Sequence, residues 1–371
     1  MTKTIAKTPS TQAPAPVAGQ KPHAPTMSDV AELAGVSPMT VSRVMNGDAK
    51  VREKTRVKVM AAVAELNYTP NQVARRLAGS HAMRVGFLYS NPSAGYISEF
   101  LVGLLNQASS NNVQLVVEKC EDDARDQARR LIANGIDGII VPPPLCDDQK
   151  LIDLITEAGT PAVTVACGTP DPRVGGVSID DYQAAYSMAS HLVALGHQRI
   201  GFVAGNPNQS VSARRLAGFK AAMAAHKLAD APELIVQGLF TYRSGLDAAE
   251  SLLALSTRPT AIFASNDDMA AAVVAVAHRM GLDVPGDLTV AGFDDTPLAT
   301  TIWPELTTVR QPIADMAEAA VRFVVQQIRA KREGEDAEPA QMVMDFTLVR
   351  RQSDAAPRIR PPSRIAGKSK P

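Results

Sequence analysis

Apolar residues recur along this chain with two different periods, and the change of period divides it. In residues 26–66 the spacing is helical. Val30, Leu33 and Ala34 fall on one face of a first short helix, and Val59, Met60, Val63 and Leu66 lie close to one face of a helix over about 52–66. Local signals mark the boundaries. Thr26 with Asp29 three residues on forms a capping-box pattern, and Gly35 permits a tight turn. Ser37 can cap a second helix whose first position is Pro38, where a missing N–H costs nothing. Two short helices joined by a tight glycine turn predict a helix-turn-helix, whose second helix enters the DNA major groove. An ordinary helical hairpin is the alternative. The third helix would complete a compact three-helix headpiece.

From residue 84 the pattern becomes short apolar strands alternating with amphipathic helices. Strands are predicted at 84–89, 113–118, 138–141 and 161–166. After a break near 167–178 they continue at 199–204, 234–237, 260–264 and 288–293. Helical patterns lie between them, at 124–134, 182–195, 214–226, 243–255 and 268–280. This alternation predicts parallel sheets covered on both faces, arranged as two Rossmann-like lobes. The late segments 306–310 and 342–350 are expected to cross back between the lobes. The fold class is therefore a small all-α helix-turn-helix headpiece followed by an α/β two-lobed core.

Between headpiece and core, Asn67-Tyr68-Thr69-Pro70 reads as a linker. Asn71 to Gly79 reads as a short helix, marginal in isolation, that carries Arg75 and Arg76. A helix of this kind suggests a hinge that orders on DNA. The expected organisation is a disordered arm over 1–25, a headpiece over 26–70, a hinge over 71–80, a core over 81–353 and a disordered basic tail over 354–371.

Charge sharpens this division. The 371 residues carry no formal net charge, yet residues 1–84 hold 12 Lys+Arg against 5 Asp+Glu, and residues 85–350 hold 20 against 32. A basic head on an acidic body suits a protein whose head alone should meet phosphate. No stretch has the apolar length of a membrane span, and the first 25 residues lack the apolar core of a secretory signal. Cys120, Cys146 and Cys167 are odd in number and lack metal-type spacing. They are expected to be reduced thiols in a cytoplasmic protein, with no metal and no cofactor.

Ligands of doubly wound sheets bind beyond the carboxyl ends of the strands, here in the cleft between lobes. That rule selects Asn91, Ser93 and Tyr96 after the first strand and Arg215 in the helix after the fifth. Phe240, Asn266 and Asp294 follow the sixth, seventh and eighth. Planar Asp, Asn and Arg groups with an aromatic ring suit a polyol. Asp267, Asp268 and Asp295 read equally well as helix caps.

The runs DVAELAGVSPMTVSRVMN, NYTPNQVARRLAG, HLVALGHQRIGFVAG, SARRLAGF, PTAIFASNDDMA and VPGDLTVAGFDDTPLATTIWPELTTVRQP together resemble the lactose-repressor (LacI/GalR) family of bacterial transcription regulators, over about residues 26–350. The resemblance implies a homodimer on double-stranded operator DNA, with hinge helices in the minor groove. It also implies a periplasmic-binding-protein-like core that takes a small effector, usually a sugar, and regulation by lobe closure. DNA contacts are implied at Thr26, Ser37, Pro38, Met39, Thr40, Ser42, Arg43 and Asn46, and at Asn71, Ala74 and Leu77 of the hinge. Arg43 matches a guanine-reading arginine, and Leu77 matches a minor-groove wedge. Pro38 and Met39 offer no side-chain hydrogen bonds, so readout there would rest on apolar contact. In the core, Arg215, Phe240, Asn266 and Asp294 match family effector positions. The segment Val165-Ala166-Cys167-Gly168 lacks an acidic residue found in many relatives, so one hydroxyl partner is expected to be either missing or supplied by Asp180 or Asp181.

Two other classes remain open. A periplasmic sugar receptor would share the core, but it needs a secretory signal and has no use for residues 26–79. An enzyme could use the acidic cluster for acid–base work. No nucleophile constellation or Gly-rich phosphate loop accompanies that cluster, and His191 and His197 read as structural.

Overall fold

The computed structural model describes residues 25–45, 51–66, 68, 82–120, 123–228, 231–335 and 338–358. They belong to two compact units, divided between His81 and Ala82. The expected hinge over 71–80, almost all of the arm over 1–25 and tail residues 359–371 lie outside the described residues, as do Asn46, Asn71, Ala74 and Leu77.

The headpiece forms as its caps dictate. Helix α1 (Met27–Ala34) opens with Thr26 Oγ1 accepting from the Asp29 amide, while the Asp29 carboxylate accepts from the Thr26 amide at 2.6 Å. Gly35 ends it in the left-handed region, φ 63°, where a Cβ would be strained. Helix α2 (Pro38–Met45) starts after Ser37, whose hydroxyl accepts from the Thr40 amide at 3.2 Å. Helix α3 (Glu53–Glu65) closes the bundle over Val30, Ala31, Val41, Val44, Val59, Ala62 and Tyr68. Leu33 and Met60, expected inside, are instead 46% and 49% exposed. The small Ala31 and Ala62 are among the buried residues of these helices.

The core holds two six-stranded sheets. The first lobe contains β1 (Met83–Tyr89), β2 (Val113–Lys119), β3 (Gly138–Val141), β4 (Ala162–Val165), β5 (Gly175–Ile179) and the late β11 (Gln341–Met344), all parallel, in the order β11-β5-β4-β3-β1-β2. The second contains β6 (Ile200–Ala204), β7 (Ile235–Gln237), β8 (Ala261–Ala264), β9 (Thr289–Asp294), β10 (Thr307–Arg310) and an antiparallel edge strand, β12 (Thr347–Val349). Its order is β12-β10-β9-β8-β6-β7. Each lobe thus repeats the 2-1-3-4-5 doubly wound order and adds one late strand at its edge.

The helices are α4 (Ala94–Ser110), α5 (Ala124–Ala133), α6 (Gln149–Glu157), α7 (Asp181–Ala194), α8 (Ser210–Ala225), α9 (Tyr242–Leu253), α10 (Asp267–Arg279), α11 (Leu298–Thr301) and α12 (Ile313–Glu333). Two of them change lobes. Helix α7 follows β5 of the first lobe yet packs on α8 and β10 of the second. Helix α12 follows β10 of the second yet packs on α4 and on β3, β4 and β5 of the first.

Three expectations change. The expected break at 167–178 hides β5, whose Gly175-Gly176 start weakens the strand signal. A Cβ at Gly176 would meet the amide end of the Gln341 side chain on the adjoining β11, which would have to swing aside. The single late segment 342–350 is two strands, one in each sheet. Residues 354–358, expected in the disordered tail, lie among the described residues, and Asp354 and Ala355 are tied to the second lobe. The Asp354 side chain is buried, accepting from Thr307 Oγ1 at 2.7 Å and lying 2.7 Å from His191 Nε2. Burial alone would raise its pKa, but His191 and Thr307 hold it below the usual range. The Ala355 carbonyl lies 2.8 Å from His197 Nε2, so both histidines serve structure.

Asp267, at the mouth of β8, fastens the second sheet. Its carboxylate accepts from the Thr296 amide at 2.7 Å, from Thr296 Oγ1 at 3.1 Å and from Thr308 Oγ1 at 2.7 Å. It is fully buried, and burial outweighs these three donors, raising its pKa to about 7. Asp267→Ala should therefore cost about 3 kcal/mol in urea unfolding, because it strands buried donors. The pH dependence has a definite sign. Between the ordinary carboxylate pKa and about 7 the folded state holds a proton that the unfolded chain has released. The residue's contribution to stability thus falls as pH rises through that window and is level above it. Asp267→Asn should lack this fall when unfolding midpoints are compared at about pH 5 and about pH 8.

Candidate functional site

The carboxyl ends of both sheets face one cleft enclosing about 420 Å³, open solvent at its mouth included. All seven residues selected from the strand ends line it: Asn91, Ser93, Tyr96, Arg215, Phe240, Asn266 and Asp294. Sequence reasoning missed Gln209 and Gln311. Gln311 immediately follows β10, so applying the strand-end rule to that late strand would have found it.

Arg215 is the fixed point. It is 4% exposed, and its Nε donates to Asp181 Oδ1 at 2.7 Å. One Nη donates to the Ser265 carbonyl at 2.6 Å and lies 3.8 Å from Asp294 Oδ1. The guanidinium carbon sits 3.6 Å from the centre of the Phe293 ring. A buried cation is tolerable only with such partners. Asp181, expected as a possible substitute for the missing acidic residue, is thus committed as the counter-ion of Arg215. Asp180 caps α7 through the Gln183 amide and pairs with Arg214, and it does not line the cleft. Burial pushes the pKa of Asp181 and of Asp294 upward, and Arg215 opposes both shifts. Asp294 also accepts from Gln311 Nε2 at 2.6 Å.

The neighbouring polar groups have clear assignments. Asn266 caps α10 through the Met269 amide at 3.0 Å, and its Nδ2 donates to the Phe240 carbonyl at 3.1 Å. The cap of α10 therefore lies one residue before Asp267. Asp267 is the bolt described above, Asp268 accepts from Ser93, and Asp295 pairs with Arg310 and Arg351. Phe240 adopts φ 60° with its ring on the cleft wall. Tyr96 Oη and Gln311 Oε1 are buried without a hydrogen-bond partner among the described residues. Burial, then the Asp294 charge, holds the Tyr96 pKa well above its ordinary value.

Serine hydroxyls join the lobes on either side of the cleft. Ser93, which caps α4 of the first lobe, donates to Asp268 Oδ2 of the second at 2.6 Å. Ser210, which opens α8 of the second lobe, accepts from the Gly168 amide of the first at 2.8 Å and donates to Asp147.

In the headpiece, α2 turns Ser37, Pro38, Met39 and Arg43 outward, with Met39 66% exposed, while Val41 and Val44 face the core. Thr40 and Ser42 are half-buried; Thr40 Oγ1 lies 2.9 Å from Ser37 Oγ. Thr26 is exposed at the cap of α1. Among the described residues, no helix is long and apolar enough to cross a membrane.

Comparison with known proteins agrees with both units. Residues 26–71 match the profile "Bacterial regulatory proteins, lacI family", and residues 189–353 match "Periplasmic binding protein-like domain". The ribose operon repressor of Haemophilus influenzae is 32% identical over 332 residues, covering 88% of this chain and 98% of its own. The chain belongs to the LacI family. The HTH-type transcriptional repressor PurR of Photobacterium profundum is 33% identical, with 82% of this chain and 92% of its own covered. The Lac repressor dimer bound to operator and the anti-inducer ONPF superposes with a TM-score of 0.76 at 30% identity, covering 90% of this chain and all of that one. Like these LacI-family relatives, this chain is a DNA-binding transcriptional regulator.

Ser93→Ala removes a hydroxyl from a half-buried carboxylate whose pKa burial has raised. It should loosen the lobes and cost about 2 kcal/mol, read as faster amide exchange around residues 93–96 and 266–268 and a lower unfolding midpoint.

Proposed function

We propose that this LacI-family regulator is a homodimeric repressor of genes for sugar uptake or catabolism, released from its operator by a sugar or sugar derivative in the cleft. The effector reading is carried by one observation. Tyr96 Oη and Gln311 Oε1 are buried beside the cleft with no hydrogen-bond partner among the described residues, next to Arg215, Asp294 and Asn266. A buried polar group without a partner costs about 1–3 kcal/mol, so a ligand offering hydroxyls as both donors and acceptors gains by meeting them. Phe240 supplies an apolar face for the C–H side of a sugar ring, and Asn91 and Ser93 stand at the cleft lip.

On the DNA side, recognition is assigned to α2. Met39 and Pro38 would lie against base methyl groups, Arg43 would read guanine, and Ser37, Thr40, Ser42 and Thr26 would hold the backbone. Asn46 and the hinge residues Asn71, Ala74 and Leu77 complete the proposed contacts. The effector acts only if it favours the lobe arrangement that binds operator poorly; a ligand favouring the other arrangement would be a corepressor. A gel-shift titration on the upstream region of its own gene, with panels of sugars and nucleosides, tests this. Release by a sugar is expected; a response to nucleosides alone would overturn the sugar reading.

Two substitutions separate the halves of the switch. Tyr96→Phe removes a hydroxyl that has no partner among the described residues, so the free protein should be more stable to unfolding by about 1–3 kcal/mol while effector affinity falls about tenfold by calorimetry. Arg43→Ala should leave effector affinity intact and cost about 1–3 kcal/mol of discrimination at one operator base pair, read by competition between operator variants.

A further inference from the structure

Cys146 and Cys167 lie 21 residues apart in sequence and meet at the rim of the first lobe. Both are buried, and half-buried Asp147 lies between them. The three potential donor atoms all lie within 4.8 Å of one another. Cys146 Sγ is 3.8 Å from Asp147 Oδ2, and Cys167 Sγ is 3.6 Å from Asp147 Oδ1. A tetrahedral zinc ion with bonds of about 2.3 Å to sulfur and about 2.0 Å to oxygen spaces its ligands by about 3.5–3.8 Å. The two sulfur–oxygen separations, each to a different oxygen of the Asp147 carboxylate, fall close to that spacing. The two cysteines have no metal-type spacing in the chain; the fold assembles them from the loops after β3 and β4.

We propose that Cys146, Asp147 and Cys167 form a site for a thiophilic divalent cation of the zinc class. Two thiolates and one carboxylate select such an ion over magnesium or calcium, and three protein ligands leave a fourth position for water. The outer shell is in place as well. Ser210 Oγ donates to the Asp147 carboxylate and is itself held by the Gly168 amide at 2.8 Å, an arrangement that orients a ligating carboxylate. Because Ser210 belongs to the second lobe, the ion would sit on the clamp between lobes and strengthen it. This proposal does not depend on which effector occupies the cleft.

Cobalt provides the test. Reduced full-length protein is titrated with Co²⁺ and followed by its near-ultraviolet thiolate-to-cobalt absorption, then challenged with Zn²⁺. One ion per chain is expected, with a strong thiolate band that Zn²⁺ abolishes. Cys120→Ser should behave as wild type, Cys146→Ser and Cys167→Ser should each lose the two-thiolate band, and Ser210→Ala should keep it with about tenfold weaker affinity. Wild-type protein without a thiolate band overturns the proposal, and so does a band that survives loss of both Cys146 and Cys167. The wild-type titration decides even if a cysteine variant fails to fold.

Discussion

A permanently charged guanidinium buried in the cleft floor organises the core. Removing one partner from such a network costs about 3–5 kcal/mol, since the charge left behind has no water to turn to. Arg215 therefore fixes more than itself. Its pairing sets the start of α7 through Asp181, the end of β8 through the Ser265 carbonyl and the approach of Asp294 at the end of β9. Phe293 beneath it supplies a ring face to the cation. The polar groups around the cleft inherit their positions from this arrangement.

The lobes repeat one another, and the repeat extends to the way they touch. In each, the helix that follows the first strand carries a serine at its start, and that serine reaches an aspartate in the opposite lobe. Equivalent points in two copies of one fold thus face each other, each through a short hydroxyl contact. The two lobe arrangements proposed for regulation would require contacts of this kind to exchange.

Much of the core was legible because strand ends are written in composition. Apolar runs stop at Asn91, Phe240, Asn266 and Asp294, and the doubly wound rule says what lies there. What failed to show depends on contact rather than pattern. The strand at Gly175 looks like a turn until Gln341 arrives beside it. Asp181 looks available until Arg215 claims it, and Asp267, read as a cap, gives that place to Asn266, one residue earlier. In the headpiece the helical period was right, but only packing reveals that Ala31 and Ala62 are buried while Leu33 and Met60 stay exposed. The pairing of Cys146 with Cys167 left no trace in sequence, since neither spacing nor hydropathy encodes which loops adjoin.

The exchange of helices between lobes governs how the chain can be made. The sheet of the first lobe has its edge strand at Gln341–Met344 and is covered by Ile313–Glu333. Most of the second lobe lies between these late pieces and the rest of the first. As the polypeptide leaves the ribosome, its amino-terminal lobe must wait with an apolar face uncovered until nearly the whole chain has emerged. The lobes then mature together, and no single cut in the backbone would release either as a complete half.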